Sequence, residues 1–179
     1  MKKIRVLIVD DSALMRKMIP HILSSDPEIE VMGTAMDGIF ALKKIKDSKP
    51  DVITLDINMP RMDGIETLKH IVEEFGIPTV IVSSLAKKDA ELTFRALEIG
   101  AFDFVAKPQD AISVHINEID NELIAKVKGA YENPQSGLRI KKVQALSAGE
   151  KKKSPPVRKS PDKVLAIGVS TGGPNALNY

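Results

Sequence analysis

The chain contains no cysteine, so a disulfide framework, a zinc–thiolate site and a thiol nucleophile are all excluded. That is compatible with a reducing compartment, and a cytoplasmic location is expected. No apolar run is long enough to span a bilayer. The start, Met1-Lys2-Lys3-Ile4-Arg5, leads into a short apolar stretch interrupted by Asp10, which fits no signal-peptide core. Membrane insertion is therefore not expected. Charge is missing from residues 164–179, and aromatic residues are missing from 133–163.

What is present is unevenly spread. The formal net charge is +2. Residues 1–132 hold 17 Lys/Arg against 22 Asp/Glu, net −5, whereas 133–163 hold 9 against 2, net +7. The acidic part carries the periodic pattern of a folded domain. The basic part contains Ser-Pro-Pro, Lys-Ser-Pro and Lys-Lys-Lys without a sustained period, and reads as a flexible linker. A basic run can bind nucleic acid or anionic lipid. Without an aromatic stacking platform, only weak, salt-sensitive nucleic-acid binding is expected, with no specific site.

Within 1–132, apolar β-branched runs alternate with helix-period segments. The strands are predicted at Ile4–Val9, Glu30–Met36, Asp51–Leu55, Pro78–Val82 and Phe102–Val105. Ser12 is a candidate N-cap for a helix whose stripe is Leu14, Met15, Met18, Ile19, Ile22 and Leu23, with Pro20 expected to kink or shorten it. Asp37 caps a second helix carrying Ile39, Leu42 and Ile45. Ile65, Leu68, Ile71, Val72 and Phe75 mark the third, and Lys87–Ile99 the fourth, stopped by Gly100. The fifth runs from about Val114 to Tyr131 and buries Ile116, Ile119, Leu123 and Val127. This alternation predicts an α/β fold: a doubly wound, five-stranded parallel sheet in a three-layer αβα sandwich of the flavodoxin-like kind.

In such a sheet the carboxyl ends of the strands face one crevice. Asp10-Asp11, Asp56, Ser83 and Lys107 each end a different predicted strand. Three carboxylates together repel one another, and a hard cation relieves this; Mg²⁺ commonly takes one or two carboxylates plus phosphate oxygens and waters. Asp56 is then a candidate nucleophile toward phosphorus, with Mg²⁺ and Lys107 supplying positive charge. Taken singly, an Asp-Asp before a helix is a cap, and a Lys-Pro or Ser at a strand end is a turn or cap. A DxD-type phosphatase does not fit, because Ile57-Asn58 follows Asp56 without the second acid. The conjunction at four strand ends carries the signal.

Residues 4–128 resemble a receiver domain of bacterial two-component response regulators. The resemblance implies that Asp56 accepts phosphate from a histidine kinase. It implies that Asp11, Asp56 and the Asn58 backbone carbonyl bind Mg²⁺, with Asp10 acting through water. It further implies phosphoryl contacts from Ser83 and Lys107, Phe104 as the switch aromatic, and a cis Lys107–Pro108 bond.

After the linker, Val164–Val169 is a sixth predicted strand, followed by Ser170-Thr171-Gly172-Gly173-Pro174. Gly168-Val169-Ser170-Thr171-Gly172 fits the G-x-S-x-G elbow that presents a serine nucleophile; a structural or anion-binding turn is the other reading. IGVSTGGPNAL after a receiver and a basic linker, with VDDSALMR, MPRMDG and SSLAKKD in the receiver, resembles the chemotaxis protein-glutamate methylesterases (CheB type). Domains are accordingly expected at 1–132 (receiver), 133–163 (linker) and 164–179 (start of a truncated methylesterase domain).

By that resemblance Ser170 is the catalytic serine of a protein-glutamate methylesterase and protein-glutamine deamidase, a hydrolase acting on methyl-accepting chemoreceptors under control of a chemotaxis histidine kinase. The family's triad needs a His and an Asp. His21, His70 and His115 all precede Ser170, and no Asp follows it, so this chain is expected to lack esterase activity. The competing reading is a stand-alone CheY-like receiver that signals by phosphorylation-dependent docking with a disordered tail. A DNA-binding regulator is disfavoured, because Ser-Thr-Gly-Gly-Pro after a strand does not begin a helix-turn-helix.

Overall fold

The structure is a computed structural model that describes residues 2–84, 87–107 and 116–134. Five strands alternate with five helices: β1 (Ile4–Val9), α1 (Met15–Leu23), β2 (Ile29–Ala35), α2 (Gly38–Ser48), β3 (Val52–Leu55), α3 (Gly64–His70), β4 (Thr79–Ser83), α4 (Lys87–Ile99), β5 (Asp103–Ala106) and α5 (Ile116–Glu132). The strands form one parallel sheet in the order β2-β1-β3-β4-β5, the predicted doubly wound topology. The five strands predicted within residues 1–132 are present, with ends displaced by a residue at most, the usual uncertainty of strand termini.

Strand residues alternate between two cores because successive side chains point to opposite faces. Ile4, Val6 and Ile8 of β1 join Val52, Val80, Val82 and Val105 under α1 and α5. Leu7 and Val9 join Ile53, Leu55 and Ile81 under α2, α3 and α4. Both faces of the central strands are covered, so β3 is buried at every position. Each Ile or Leu sealed in this way contributes about 1.5–3 kcal/mol. Register is fixed accordingly, since a slip of one residue would exchange the two cores.

The helices depart from the predicted stripes in two places. Leu14 precedes α1 and is 57% exposed, and Ile39 in the first turn of α2 is 51% exposed. Ile45 is buried as predicted, and Gly38 and Ala41 share its face. For Leu14 the cause is where the helix begins. Ser12 Oγ accepts only a long 3.4 Å bond from the Met15 N–H, and α1 starts at Met15, leaving Leu14 outside its buried face. Pro20 lies within α1, which nonetheless continues to Leu23. Asp37 caps α2 as expected, accepting from the Phe40 N–H at 2.9 Å. Asp63 caps α3 in the same way, accepting from Glu66 at 2.7 Å.

The third helix closes through a π-type turn over Ile71–Phe75, ended by Gly76 at φ 61°. Gly100 ends α4 at φ 127°, its N–H donating to the Ala96 and Leu97 carbonyls. In α5, Leu123 and Val127 are buried as predicted; the side chains of Ile116 and Ile119 lie outside those described. Pro108, the linker from residue 135 onward, the sixth predicted strand and Ser170 lie outside the described residues. Among the described residues no helix is long and apolar enough to cross a membrane.

Candidate phosphoryl-acceptor site

β1 has β3 on one side and β2 on the other, and both ladders continue one step beyond the strands. The Asp56 N–H donates to the Val9 carbonyl at 2.9 Å, and the Asp10 N–H to the Ala35 carbonyl at 3.0 Å. Asp10 and Asp56 are thus held by sheet hydrogen bonds, not by loose loops. Asp10, Asp11 and Asp56 each bring one carboxylate oxygen within 4.8 Å of the others. Asp10 and Asp56 are almost fully buried, while Asp11 is exposed.

β4 and β5 supply the cation from the other side. The Lys107 N–H donates to the Ser83 carbonyl at 2.8 Å, which places its side chain over the carboxylates. Its Nζ stands 2.9 Å from Asp10 Oδ2 and 2.8 Å from Asp56 Oδ2. Burial pushes the Asp56 carboxyl up to about 6, although Lys107 pulls the other way. Burial works against the Lys107 ammonium as well, but the Asp56 and Asp10 carboxylates outweigh it and hold its pKa above the ordinary value.

Ser83 Oγ is buried and has no hydrogen-bond partner among the described residues. An unpartnered buried hydroxyl at a strand end costs free energy unless something supplies its missing bond. Asn58 lies two residues past Asp56, its N–H donating to Asp56 Oδ1 at 3.4 Å. It lines, with Asp11, Met59, Pro60, Asp63 and Leu92, an open groove of about 400 Å³ beside the carboxylates. Phe104 is half-buried and shares with Ser83, Thr93, Phe94 and Ala106 a crevice of about 240 Å³. The Lys126 ammonium of α5 sits 5.0 Å from the centroid of the Phe104 ring and also donates to the Phe104 carbonyl.

Of the seven receiver residues singled out from the sequence, Asp10, Asp11, Asp56, Asn58, Ser83 and Lys107 gather at the carboxyl end of the sheet, and Phe104, paired with Ile81 inside β5, lines the crevice beside Ser83. Sequence reasoning missed the residues that hold the loops. Arg16 Nη1 donates to the carbonyls of Asp10 (2.9 Å) and Asp11 (2.7 Å), pinning the loop between β1 and α1. Arg61 pairs with the buried Asp37 and lies 5.3 Å over the Phe40 ring. Gly64 sits against the site itself: a Cβ there would come within 2.1 Å of the Asp56 carbonyl oxygen.

The donors suit a hard divalent cation. Three carboxylates offer oxygen ligands, and Lys107 alone among the described side chains ion-pairs with them. The cluster could bind Mg²⁺, with Asp10, Asp11 and Asp56 holding it.

A β2-β1-β3-β4-β5 parallel sheet with this acidic cluster at its carboxyl ends defines the receiver class of signalling protein. The sequence profile of the response regulator receiver domain matches residues 6–117, and the chain belongs to that family. It is similar to the protein-glutamate methylesterase/protein-glutamine glutaminase 2 of Koribacter versatilis, 52% identical over 180 residues, covering 98% of this chain and 50% of that protein. The chain spans about half the length of the curated relatives it matches. Among solved structures it is similar to the response regulator domain of Thermotoga maritima CheB, at 44% identity and a TM-score of 0.66, covering 73% of this chain and 98% of that one. It is also similar to Borrelia burgdorferi CheY in a CheX–CheY–BeF₃–Mg²⁺ complex, at 32% identity and a TM-score of 0.60, covering 73% and 90%.

Proposed function

We propose that this chain is a phosphoacceptor receiver of a chemotaxis signalling system, with Asp56 as the residue phosphorylated by a histidine kinase. The observation that carries this reading is Asp56 itself: buried, beside Lys107 at 2.8 Å, and clustered with Asp10 and Asp11. An Asp56 carboxylate oxygen attacks phosphorus, the P–N bond to the kinase imidazole breaks, and the electron pair stays on the imidazole nitrogen, which takes up a proton. Lys107 stabilises negative charge on the transferring oxygens, and Ser83 Oγ donates the hydrogen bond it otherwise lacks. Mg²⁺, when bound, adds positive charge at the same oxygens. Asp11, Asp56 and the Asn58 carbonyl would hold it, with Asp10 acting through water.

Phe104 is the switch aromatic in this reading. The crevice it shares with Ser83 gives the ring room to turn inward once Ser83 is drawn to the phosphoryl group. Similarity to a CheX–CheY complex of Borrelia burgdorferi that contains BeF₃ and Mg²⁺ supports this ligand chemistry.

Phosphorylation would regulate a methylesterase and glutaminase that acts on methyl-accepting chemoreceptors, with 1–132 as receiver, 133–163 as linker and Ser170 as nucleophile of the domain beginning at 164. Similarity to methylesterases over 98% of the chain, past the receiver, favours this over a stand-alone receiver. The test is labelling with acetyl phosphate or a phosphorylated kinase, followed by identification of the modified residue. Labelling should need Mg²⁺, stop on chelation and disappear in Asp56→Asn. Equal labelling of that variant would refute the assignment.

A further inference from the structure

The loop between β3 and α3 is tied to a helix that is remote in sequence. Arg61 has φ 68°, a left-handed conformation that side chains bearing a Cβ rarely adopt. From it the guanidinium reaches Asp37, 24 residues earlier, whose side chain is fully buried at the start of α2. The geometry is doubly determined at both partners. Asp37 uses Oδ1 to cap α2 at Phe40 and Oδ2 to take Arg61, while the guanidinium also covers the Phe40 ring. A second tie runs alongside, because the Gly38 N–H donates to the Met62 carbonyl at 3.4 Å. Gly38 permits it, since a Cβ there would meet Thr67 Oγ1 at 2.0 Å and Met62 Cγ at 2.7 Å.

The other end of the loop is anchored where the Gly64 N–H donates to the Ile57 carbonyl at 2.9 Å. Between the two anchors lie only Asn58, Met59 and Pro60, which line the groove beside Asp11. The strained backbone of Arg61 is thus fixed by a buried carboxylate whose side-chain hydrogen bonds go to the start of α2 and to Arg61. We infer that Arg61, latched to Asp37, is a positioning residue that holds the loop so that Asn58 meets the cation bound by Asp11 and Asp56. The inference rests on the metal-dependent receiver reading above. It assigns the Asp37–Arg61 pair a role in metal affinity beyond loop stability.

The experiment measures the Mg²⁺ dissociation constant by titration calorimetry, the metal-free melting temperature, and the rate of labelling by acetyl phosphate across Mg²⁺ concentrations. Arg61→Gln should weaken Mg²⁺ binding about tenfold, the scale of losing a residue that orients a metal ligand. Its labelling rate should return to within about twofold of wild type at saturating Mg²⁺, since only ground-state metal binding is lost. Arg61→Lys should fall between, because an ammonium cannot reproduce the guanidinium fork.

The single Gln variant leaves the Asp37 carboxylate buried without its cation. The pair Asp37→Asn with Arg61→Gln removes that charge, so a folded form carries the test if the single variant unfolds. It should bind Mg²⁺ no more tightly than Arg61→Gln, because the two residues act as one unit. A folded Arg61→Gln, or the folded double variant, with wild-type Mg²⁺ affinity would overturn the inference. Absence of Mg²⁺ binding by the wild-type protein would instead sink the receiver reading.

Discussion

At the scale of single residues, the buried carboxyl of Asp56 links site and stability. Its pKa of about 6 in the folded chain exceeds the ordinary 3.8, so between those values the folded state holds more proton than the unfolded one. Metal-free stability therefore rises as pH falls from above 6 toward 4 on account of this group, and is reduced above 6, where the carboxylate is charged. Asp56→Asn removes the charge. In chelator at pH 8 the variant should melt a few degrees above wild type, and the gap should close as pH approaches 4. Mg²⁺ should reverse the order at pH 8 by binding the native wild-type protein. Thermal melts across this pH range decide it, and a gap that widens toward acid would contradict the assignment.

Thr54 tests the same environment without charge. Its hydroxyl is buried beside the β1 and β4 backbones and has no partner among the described residues. A buried unmet hydroxyl is costly, and an apolar group of the same shape avoids the cost. Thr54→Val should stabilise the protein by about 1 kcal/mol in denaturant unfolding. A loss of stability would mean that the hydroxyl is satisfied after all.

The acceptor residues were legible in the sequence because each ends an apolar run, and topology alone brings strand ends together. Arg16, Arg61 and the reach of Arg61 to the Asp37 cap were not. Their roles depend on which carbonyl or carboxylate a long side chain reaches, and neither spacing nor residue type encodes that across 24 positions.

At the scale of elements, the strands were the clearest feature, because burial on both faces demands continuous β-branched runs such as IRVLIV. Helix faces were less clear. A stripe drawn through Leu14 assumes a helix that starts earlier than α1 does, whereas Ile39 lies in the first turn of α2 but off the buried face of Gly38, Ala41 and Ile45. The Asp63-Gly64 pair shows a different limit. An Asp-Gly pair is by composition a turn signal, and here it is the start of α3, with Asp63 as cap.

The glycine at 64 is required by space. Its position leaves 2.1 Å between a would-be Cβ and the Asp56 carbonyl, and 2.6 Å to Ile57 Cα, so backbone atoms must move to admit a methyl group. Gly64→Ala should cost about 1–3 kcal/mol, the range for overpacking. It should also slow labelling of the folded fraction, since the displaced backbone belongs to Asp56. Unfolding curves read beside labelling rates separate the two effects. A variant as stable and as readily labelled as wild type would show that the backbone yields freely there.

At the scale of the whole molecule, the two parts of the sequence carry unequal chemistry. Residues 4–132 supply a complete sheet, two closed cores and a gathered acidic site. Residues 164–179 supply one predicted strand and Ser170, with no His or Asp after the serine. Of the histidines before it, His21 lies on α1, and His70 of α3 is already 2.6 Å from Glu74. A serine hydroxyl is a weak nucleophile until a neighbouring base takes its proton, and loss of triad members costs several orders of magnitude in rate. The expected outcome is that these 179 residues release no measurable methanol from methylated chemoreceptor membranes, while still being labelled at Asp56. A longer protein carrying a further domain of the length found in the relatives should release it, faster after phosphorylation, and should lose that activity in Ser170→Ala. Appreciable release by the 179 residues, or undiminished release by the Ser170→Ala protein, would show that the ester chemistry lies elsewhere.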